Sequence, residues 1–444
     1  MFRSFQPFLN PIGFGASDFI EFFIVAPLVV FFVLRPFIQP HIRSLAARTR
    51  WCMLLFTVLP VALRLALLSH HPVPTPDLYD EFTHLLVADT LSHFRLANPT
   101  HPFHSFFETF FVLQQPSYSA IYPIGQGVAL ALGRAIFGYA WAGVLLSIAA
   151  LCSFCYWMLR GWTSPAWAFA GGVLAICLFG PLNSWTNTYW GGAVSGVAGC
   201  LVFGALPRIV ERAGLRDALL LGLGLGIQLL TRPYESMFLT LSAALFLFTS
   251  RRAVVRLIPA MVLIPVAALG VTLLHNIRVT GSLTTVPEMA SQYQYGVPTT
   301  FSFQPNPVPH RSLTSQQELS YKQQVSFHGD QPESLPSYML RLQSRVRYLR
   351  FFFPAAVYLV LPLILLRLRE RRALWVAVTL AIFAIGANFY PFFFPHYIAA
   401  IACLLLLVAV NALGQLSRFS ETAAIIVAWL CLAPFTFWFG VHLF

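Results

Sequence analysis

The sequence predicts an all-α polytopic membrane protein with about 12 transmembrane helices. Hydrophobic residues make up 57% of the 444 positions, and charged residues make up only 10%. A soluble domain carries about 25% charged residues, so the composition argues against a soluble fold. Apolar runs such as FFIVAPLVVFFVL and AGVLLSIAALCSFCYWML belong to segments near the length that crosses a bilayer, and short basic links separate them.

The spans follow from the apolar runs and the polar links between them. They are predicted at residues 19–38, 51–69, 141–158, 165–183, 190–208, 217–231, 235–250, 257–275, 350–366, 373–390, 393–411 and 421–443. All seven cysteines fall within apolar segments. Cys152 and Cys155 lie three apart on a helix, and without a second ligand pair nearby this spacing indicates packing rather than a soft-metal site.

Four links between predicted spans are rich in arginine, namely 35–50, 208–216, 251–256 and 367–372. Positive charge accumulates on the cytoplasmic side of membrane proteins, so we assign all four links to the cytoplasm. The net charge of +12 therefore reflects membrane orientation, and no nucleic-acid partner is expected. With this orientation the long loop 70–119 lies outside.

Residues 120–137 are apolar enough to span, but a span here would move the basic link 208–216 to the outside. Gly125, Gly133 and Arg134 also make this segment a poor lipid-exposed helix. The sequence therefore predicts a re-entrant or juxtamembrane helix in the first large outer loop.

A second long polar stretch, 276–349, exceeds an ordinary connection and predicts an outer (periplasmic) loop or lid. Within it the string SQQELSYKQQVSFHG is compatible with a helix. This stretch separates an N-terminal transmembrane module, 1–275, from C-terminal transmembrane helices, 350–444. The first module carries the acidic outer loop 70–119 and the juxtamembrane helix 120–137.

The acidic loop contains adjacent carboxylates, Asp80 and Glu81, close after a predicted span. Adjacent acids at the membrane exit of a helix seldom serve packing, so the pair indicates binding or catalysis. Glu108 in the same loop is a further candidate, with a solvated loop residue as its alternative reading.

Other polar residues converge on the predicted outer face, among them Arg232, Glu235, Trp190 and His396. Ionisable groups at membrane depth are costly and usually face a cavity. Structural alternatives remain for each: a snorkelling arginine, its local ion pair with Glu235, an interfacial tryptophan and a packed histidine. Together the group suggests a site that handles a polar substrate and an anionic group.

The chain resembles the GT-C superfamily, and within it the protein O-mannosyltransferase and aminoarabinose-transferase (family 39-like) branch. The resemblance rests on the Asp80-Glu81 pair in the first outer loop, the string Tyr122-Pro123-Ile124-Gly125 opening the next helix, and the long late outer loop. It covers the order of elements from about residue 51 to 411. Members of that branch are multi-span enzymes that take a sugar from a polyprenyl-phosphate carrier.

The resemblance implies a GT-C-like fold and a glycosyltransferase with Asp80 as general base, with Glu81 in the catalytic pair and Tyr122 beside the site. His396-Tyr397 resembles the family's late basic-aromatic pair, commonly Arg-Tyr. Because histidine is only partly charged at neutral pH, phosphate binding falls more heavily on Arg232. One base and direct displacement imply inversion at the sugar carbon.

Several points stay open from the sequence. No cofactor is certain, and a divalent metal held by two carboxylates is an alternative that we do not favour. The expected partners are a polyprenyl-phosphate-linked sugar, membrane lipids, and an acceptor that is a protein, a lipid or a glycan. The expected location is a bacterial inner membrane with the site facing the periplasm. A transporter, a lipid or glycan flippase, and a polysaccharide polymerase are the competing functions.

Overall fold

The computed structural model describes most of the chain beyond residue 43. The described residues are 7–16, 18–21, 23–24, 44–248, 254–329 and 333–444. The predicted span 19–38 lies largely outside them, as do Arg35, Arg43, Arg251 and Arg252 of the basic links.

The described residues form mainly α-helices. The α-helices are α1 (Thr49–Ala66), α2 (Tyr79–Ser92), α3 (Gly125–Phe137), α4 (Ala140–Leu159), α5 (Pro165–Phe179), α6 (Ala193–Arg212), α7 (Leu215–Thr231), α8 (Pro233–Phe248), α9 (Ile258–Thr280), α10 (Pro287–Tyr295), α11 (Ser315–His328), α12 (Leu335–Arg345), α13 (Arg371–Ala387), α14 (Ala402–Phe419) and α15 (Glu421–Leu443). Short 3₁₀ helices cover His104–Phe106, Val255–Leu257, Val346–Phe351, Ala355–Leu359, Leu361–Arg367 and Pro395–Ile401. A small antiparallel hairpin pairs β1 (Val112–Leu113) with β2 (Ser119–Ala120).

Six helical segments among the described residues are long and apolar enough to cross a membrane. They are Thr49–Ala66, Ala140–Leu159, Ala193–Arg212, Val255–Thr280, Pro395–Phe419 and Glu421–Leu443. Two shorter apolar helices are Pro165–Phe179 and Pro233–Phe248. The predicted all-α class is therefore observed, and these helices support a membrane protein.

The predicted span 350–366 does not form one α-helix, contrary to the prediction. Its residues fold as the consecutive 3₁₀ helices Val346–Phe351, Ala355–Leu359 and Leu361–Arg367. Pro354 and Pro362 stand at the starts of the second and third of these helices. Proline has no N–H to donate and restricts the residue before it, so each proline interrupts the ladder of an α-helix.

The long apolar helices divide into central and peripheral ones. In α6 and in the segment Pro395–Phe419, 83% and 78% of the most apolar window is buried against other helices. The corresponding share is 22% in α1 and 17% in α15. The two central helices build the main hydrophobic core with α4 and α5. The peripheral helices expose their apolar side chains, as expected for a surface covered by lipid.

One end of the helix bundle, here called the link face, gathers the basic links. Arg372 at the start of α13 forms an ion pair with Glu211 at the end of α6, with 3.2 Å between Nη2 and Oε1. Arg208 donates a hydrogen bond to the carbonyl oxygen of Trp157 at 2.8 Å, which joins the ends of α6 and α4. Two of the links predicted to share one side, 208–216 and 367–372, therefore contact each other.

The opposite end, here called the site face, gathers the polar loops. The Tyr189 hydroxyl donates to the carbonyl oxygen of Pro74 at 3.0 Å, and Gln126 donates to the carbonyl oxygen of Tyr189 at 3.1 Å. Helix α3 begins at this face and has only 13 residues, fewer than the roughly 20 needed to span. A Cβ atom on Gly133 would collide with the backbone of Gly143, so glycine lets α3 fold back tightly onto α4.

Candidate functional site

A cluster of ionisable and aromatic side chains occupies the site face. Its members come from five separate parts of the chain: the first turns of α2, the segment before α3, the α7–α8 turn, the start of α10, and the segment before α14. The cluster comprises Asp80, His84, Tyr122, Arg232, Glu235, Glu288, Tyr390, His396 and Tyr397.

Asp80 lies in the first turn of α2, where a carboxylate also interacts favourably with the helix dipole. The hydroxyl group of Tyr122 donates a hydrogen bond to its Oδ1 atom. Burial raises the pKa of Asp80, while this hydrogen bond and the positive charge of Arg232 oppose the shift. Tyr122 therefore orients a carboxylate that lies within the electrostatic reach of a guanidinium group.

Glu81, the other half of the acidic pair, has a different partner. Its Oε2 atom accepts a hydrogen bond from the backbone N–H of Tyr189 at 3.0 Å, and only 2% of the residue is exposed. Burial raises the pKa of Glu81, and the hydrogen bond from Tyr189 opposes that shift. The contact ties the start of α2 to the segment before α6, and a catalytic role for Glu81 stays a prediction.

His84 follows Asp80 by one helical turn and therefore lies on the same side of α2. Its ring stacks on that of Tyr122, with 5.0 Å between centroids and 24° between planes. Burial lowers the pKa of His84 to about 3, and Arg232 adds to the shift. Its Nδ1 atom is buried and has no hydrogen-bond partner among the described residues. The neutral ring thus holds Tyr122 from one face.

Gly125 allows the start of α3 to pack against the end of α7. The first turn of α3 packs against the last turn of α7 so closely that a Cβ atom on Gly125 would lie 2.9 Å from the carbonyl carbon of Leu230. Arg232 follows directly as the C-cap of α7. The glycine of the Tyr-Pro-x-Gly string is therefore required for the contact between the two helices.

Arg232 forms a buried ion pair with Glu235 across the turn between α7 and α8. The distance from Nη1 to Oε1 is 2.9 Å, and the exposed fractions of the two side chains are 21% and 2%. The guanidinium carbon lies 4.8 Å from the ring centroid of Tyr397. The hydroxyl group of Tyr390 lies 3.4 Å from the same Glu235 oxygen. The local ion pair considered for Arg232 and Glu235 is thus present, inside the cluster.

His396 is buried between aromatic rings. Its ring lies 4.7 Å from that of Trp190 and stacks on that of Phe394 at 5.6 Å and 12°. Tyr397 packs edge-on against it, with the centroids 4.8 Å apart. The aromatic packing leaves mainly the ring edge for polar contacts, so phosphate binding by His396 stays a prediction.

Glu108 joins the two long loops. Its Oε1 atom lies 2.8 Å from Nη2 of Arg311, and 8% of its side chain is exposed. Nearby, Gln316 of α11 donates to the hydroxyl group of Tyr79 at 2.7 Å. The helix considered in this loop is observed as Ser315–His328. The late loop therefore rests on the acidic loop through polar contacts.

Glu288 and His84 were not singled out as site residues from the sequence. Glu288 stands in the first turn of α10, within the late loop, and its surroundings raise its pKa to about 7 by desolvation. The negative charge of Glu235 adds to this shift and Arg232 opposes it. The signal for His84 was its spacing of four from Asp80, whereas Glu288 is one of many polar residues in its loop.

Chemically, the cluster combines a carboxylate that can accept a proton with a guanidinium group that can bind an oxyanion. No group of three or more His, Cys, Asp or Glu side chains among the described residues is arranged to hold a metal ion. Asp80 and Glu81 have separate partners, Tyr122 and Tyr189, so the adjacent acids do not converge on one point. No family model matches the chain, and no curated protein has a significantly similar sequence.

Proposed function

We propose that the protein is an integral-membrane glycosyltransferase that transfers a sugar from a polyprenyl-phosphate carrier to an acceptor hydroxyl group. The observation that carries this proposal is the proximity of Asp80, hydrogen-bonded by Tyr122, to Arg232 at the site face. Transfer from a phosphate carrier needs a base for the acceptor and a cation for the leaving group, and these residues supply both.

In the proposed mechanism Asp80 accepts the proton of the acceptor hydroxyl group. The acceptor oxygen forms a bond to the anomeric carbon while the bond from that carbon to the phosphate oxygen breaks. The electron pair of the broken bond leaves with the polyprenyl phosphate, and the configuration at the anomeric carbon inverts. Tyr122 holds the carboxylate in position, directly through its hydroxyl group.

Arg232 receives the departing phosphate in this mechanism. A guanidinium group has five N–H donors, and Glu235 occupies Nη1. The remaining donors match the geometry of phosphate oxygens. Glu235 also fixes the side chain at the turn, so the cation is oriented before the carrier binds.

We extend the proposal to topology. The site face is the outer face, about 12 helical segments cross the membrane, and α3 stays on the outer side as a juxtamembrane helix. The clustering of Arg372, Glu211 and Arg208 at the link face supports this orientation, because cytoplasmic links are basic. The GT-C-like arrangement, the bacterial inner membrane and the periplasmic location of the site belong to the same proposal.

The transporter and flippase alternatives require charged groups along a pathway through the spans. Arg64, in the last turn of α1, donates instead to the side chain of Asn187 at 2.7 Å and to two loop carbonyl groups. It therefore serves to anchor the loop at the site face. This contact favours the enzyme over a transport pathway through α1.

The test is the substitution Asp80→Asn, assayed in membranes with labelled polyprenyl-phosphate sugars. Loss of a general base typically lowers the rate by about 10²- to 10⁴-fold. Asp89→Asn is the matched control, because Asp89 lies on the same helix in an exposed ion pair with Arg134. We expect the control to keep wild-type transfer. Full transfer by Asp80→Asn would remove Asp80 from the mechanism, and vesicle flipping without sugar transfer would support the flippase instead.

A further inference from the structure

Helix α12, at the end of the late loop, makes its polar contacts on the side that faces the bundle. The hydroxyl group of Tyr338 donates to the carbonyl oxygen of Ile385 at 2.7 Å, and Nε of Arg341 donates to that of Asn388 at 2.9 Å. Arg345 is buried and donates to a carbonyl oxygen between these two in the chain. The last carbonyl groups of an α-helix lack donors from a following turn and attract cations. This side of α12 therefore caps the end of α13.

The outward side of α12 is apolar. Leu335, Met339 and Leu340 are 73%, 52% and 69% exposed, and Pro336 is exposed beside them. At about 100° per residue, these four residues lie within an arc of roughly 140°, here called the α12 apolar face. Gln343, a polar residue, is also exposed inside this arc. The polarity is the reverse of that in a surface helix of a soluble protein, where the apolar side faces the core.

A third side of α12 carries two serines. Ser337 and Ser344 are exposed and lie between the α12 apolar face and the side that caps α13. Their short hydroxyl side chains suit contact with water. The helix thus has one side for protein, one for water and one that is apolar, which is the arrangement expected where a protein, water and a bilayer meet.

The surface of α13 indicates what covers the α12 apolar face. Leu374, Val378 and Ile385 are exposed on α13 and recur at helical spacing along one side. Helix α13 begins at the link face and ends against α12 at the site face, so this apolar side extends between the two ends of the bundle. Exposed apolar surface of this extent on a membrane protein is suited to lipid. Because Tyr338 binds the backbone of Ile385, α12 lies at the site-face end of the same surface.

We propose that α12 is an interfacial helix whose apolar face inserts among the acyl chains of phospholipids in the leaflet at the site face. In this position Arg341 and Arg345 hold the helix on the end of α13, and Ser344 faces water. The late loop is then fixed to the membrane through α12 and to the acidic loop through Gln316 of α11. This inference does not depend on the reaction proposed above.

The experiment places the photoreactive amino acid p-benzoylphenylalanine at position 340 or at position 344 of the full-length protein in cell membranes. Ultraviolet light joins the benzophenone group to C–H bonds that it touches, so the mass of the purified adduct identifies the neighbour. We expect phospholipid adducts from position 340 at several times the yield from position 344. Ser344 is the matched control, because it is exposed on the same helix but lies on the serine side. Position 339 provides the measurement if the protein labelled at position 340 fails to fold.

Four results would overturn the inference. Equal yields of phospholipid adduct at positions 340 and 344 would show that the two sides of α12 do not differ in their surroundings. Attachment to a second copy of the chain or to another protein would make the α12 apolar face a protein interface. An adduct with the mass of a polyprenyl phosphate would make it a carrier site, and the absence of any adduct at both 339 and 340 would show that water covers it.

Discussion

Two arginine–glutamate pairs at opposite ends of the bundle have the same chemistry in different surroundings. Arg232 and Glu235 lie 2.9 Å apart at the site face, with 21% and 2% of their side chains exposed. Arg372 and Glu211 lie 3.2 Å apart at the link face, with 49% and 50% exposed. Water solvates the second pair whether or not it forms, whereas each member of the first pair depends on the other. Burial thus makes the first pair an oriented cation in a cluster and leaves the second a weak contact between links.

The largest effect should come from breaking the buried pair. Arg232→Gln leaves the Glu235 carboxylate buried without its cation, which typically costs about 3–5 kcal/mol. We expect a marked fall in the thermal unfolding temperature of the detergent-purified protein and loss of sugar transfer. The double variant Arg232→Gln, Glu235→Gln should recover much of the stability and none of the transfer. Equal stability of Arg232→Gln and the wild type would show that the pair is solvated after all.

A smaller loss of stability is expected when a side chain is added at the contact between the start of α3 and the end of α7. Gly125→Ala places a methyl group against the backbone of Leu230, and overpacking of this kind costs about 1–3 kcal/mol. Transfer should fall with stability, because α3 must move away from α7. The control is Gly270→Ala in α9, where a Cβ atom meets nothing within 4 Å. That variant should be neutral or slightly more stable in chemical denaturation, and the same loss at both glycines would remove the special role of Gly125.

The stability of the protein should also depend on the protonation of Glu288. Desolvation and the negative charge of Glu235 raise the pKa of Glu288 from 4.5 to about 7. A carboxyl group with a raised native pKa contributes stability fully below the unfolded pKa and loses it as the pH rises through the native pKa. The unfolding temperature of Glu288→Gln relative to the wild type should therefore increase between pH 4.5 and about 7 and then level off. A constant difference in unfolding temperature between the two proteins across this pH range would contradict a raised pKa for Glu288.

The smallest effect should come from the exposed pair. Arg372→Gln removes a contact of the kind that contributes about 0–1 kcal/mol, and high salt should weaken even that. Unfolding temperature and sugar transfer should both stay close to the wild-type values. A loss as large as that of Arg232→Gln would mean that the two faces do not differ in the way their burial indicates.

The sequence was sufficient for the fold class and for the grouping of Asp80, Arg232 and Tyr397 at one face. Apolar length and basic links are local properties, so they can be read without the fold. The partner of Glu81 could not be read in this way, because Tyr189 lies 108 residues away and contributes a backbone N–H that every non-proline residue has. The predicted topology placed Glu108 on the outer face, but it did not identify the residue with which Glu108 pairs.

Glu288 shows a different limit. Its neighbours in the chain include many polar residues, and only its electrostatic interaction with Glu235 and Arg232 distinguishes it from them. The segment 350–366 shows a third limit, since its apolar composition fits a span while it folds as consecutive 3₁₀ helices that begin at Pro354 and beside Pro362. Apolar composition indicates whether a segment lies in a membrane, but it does not determine which type of helix the segment forms.

The hydrogen-bond acceptors of Arg64 are synthesised at different times, because they lie at different distances along the chain. Two of its acceptors, the carbonyl groups of His71 and Pro72, leave the ribosome within eight residues of it. The third, Asn187, is 123 residues downstream, after α5. During biosynthesis the end of α1 therefore waits for α4 and α5 to be inserted before its guanidinium group is fully satisfied. A chain truncated before Asn187 should leave α1 more accessible to membrane quality-control proteases than a chain truncated after Asn187.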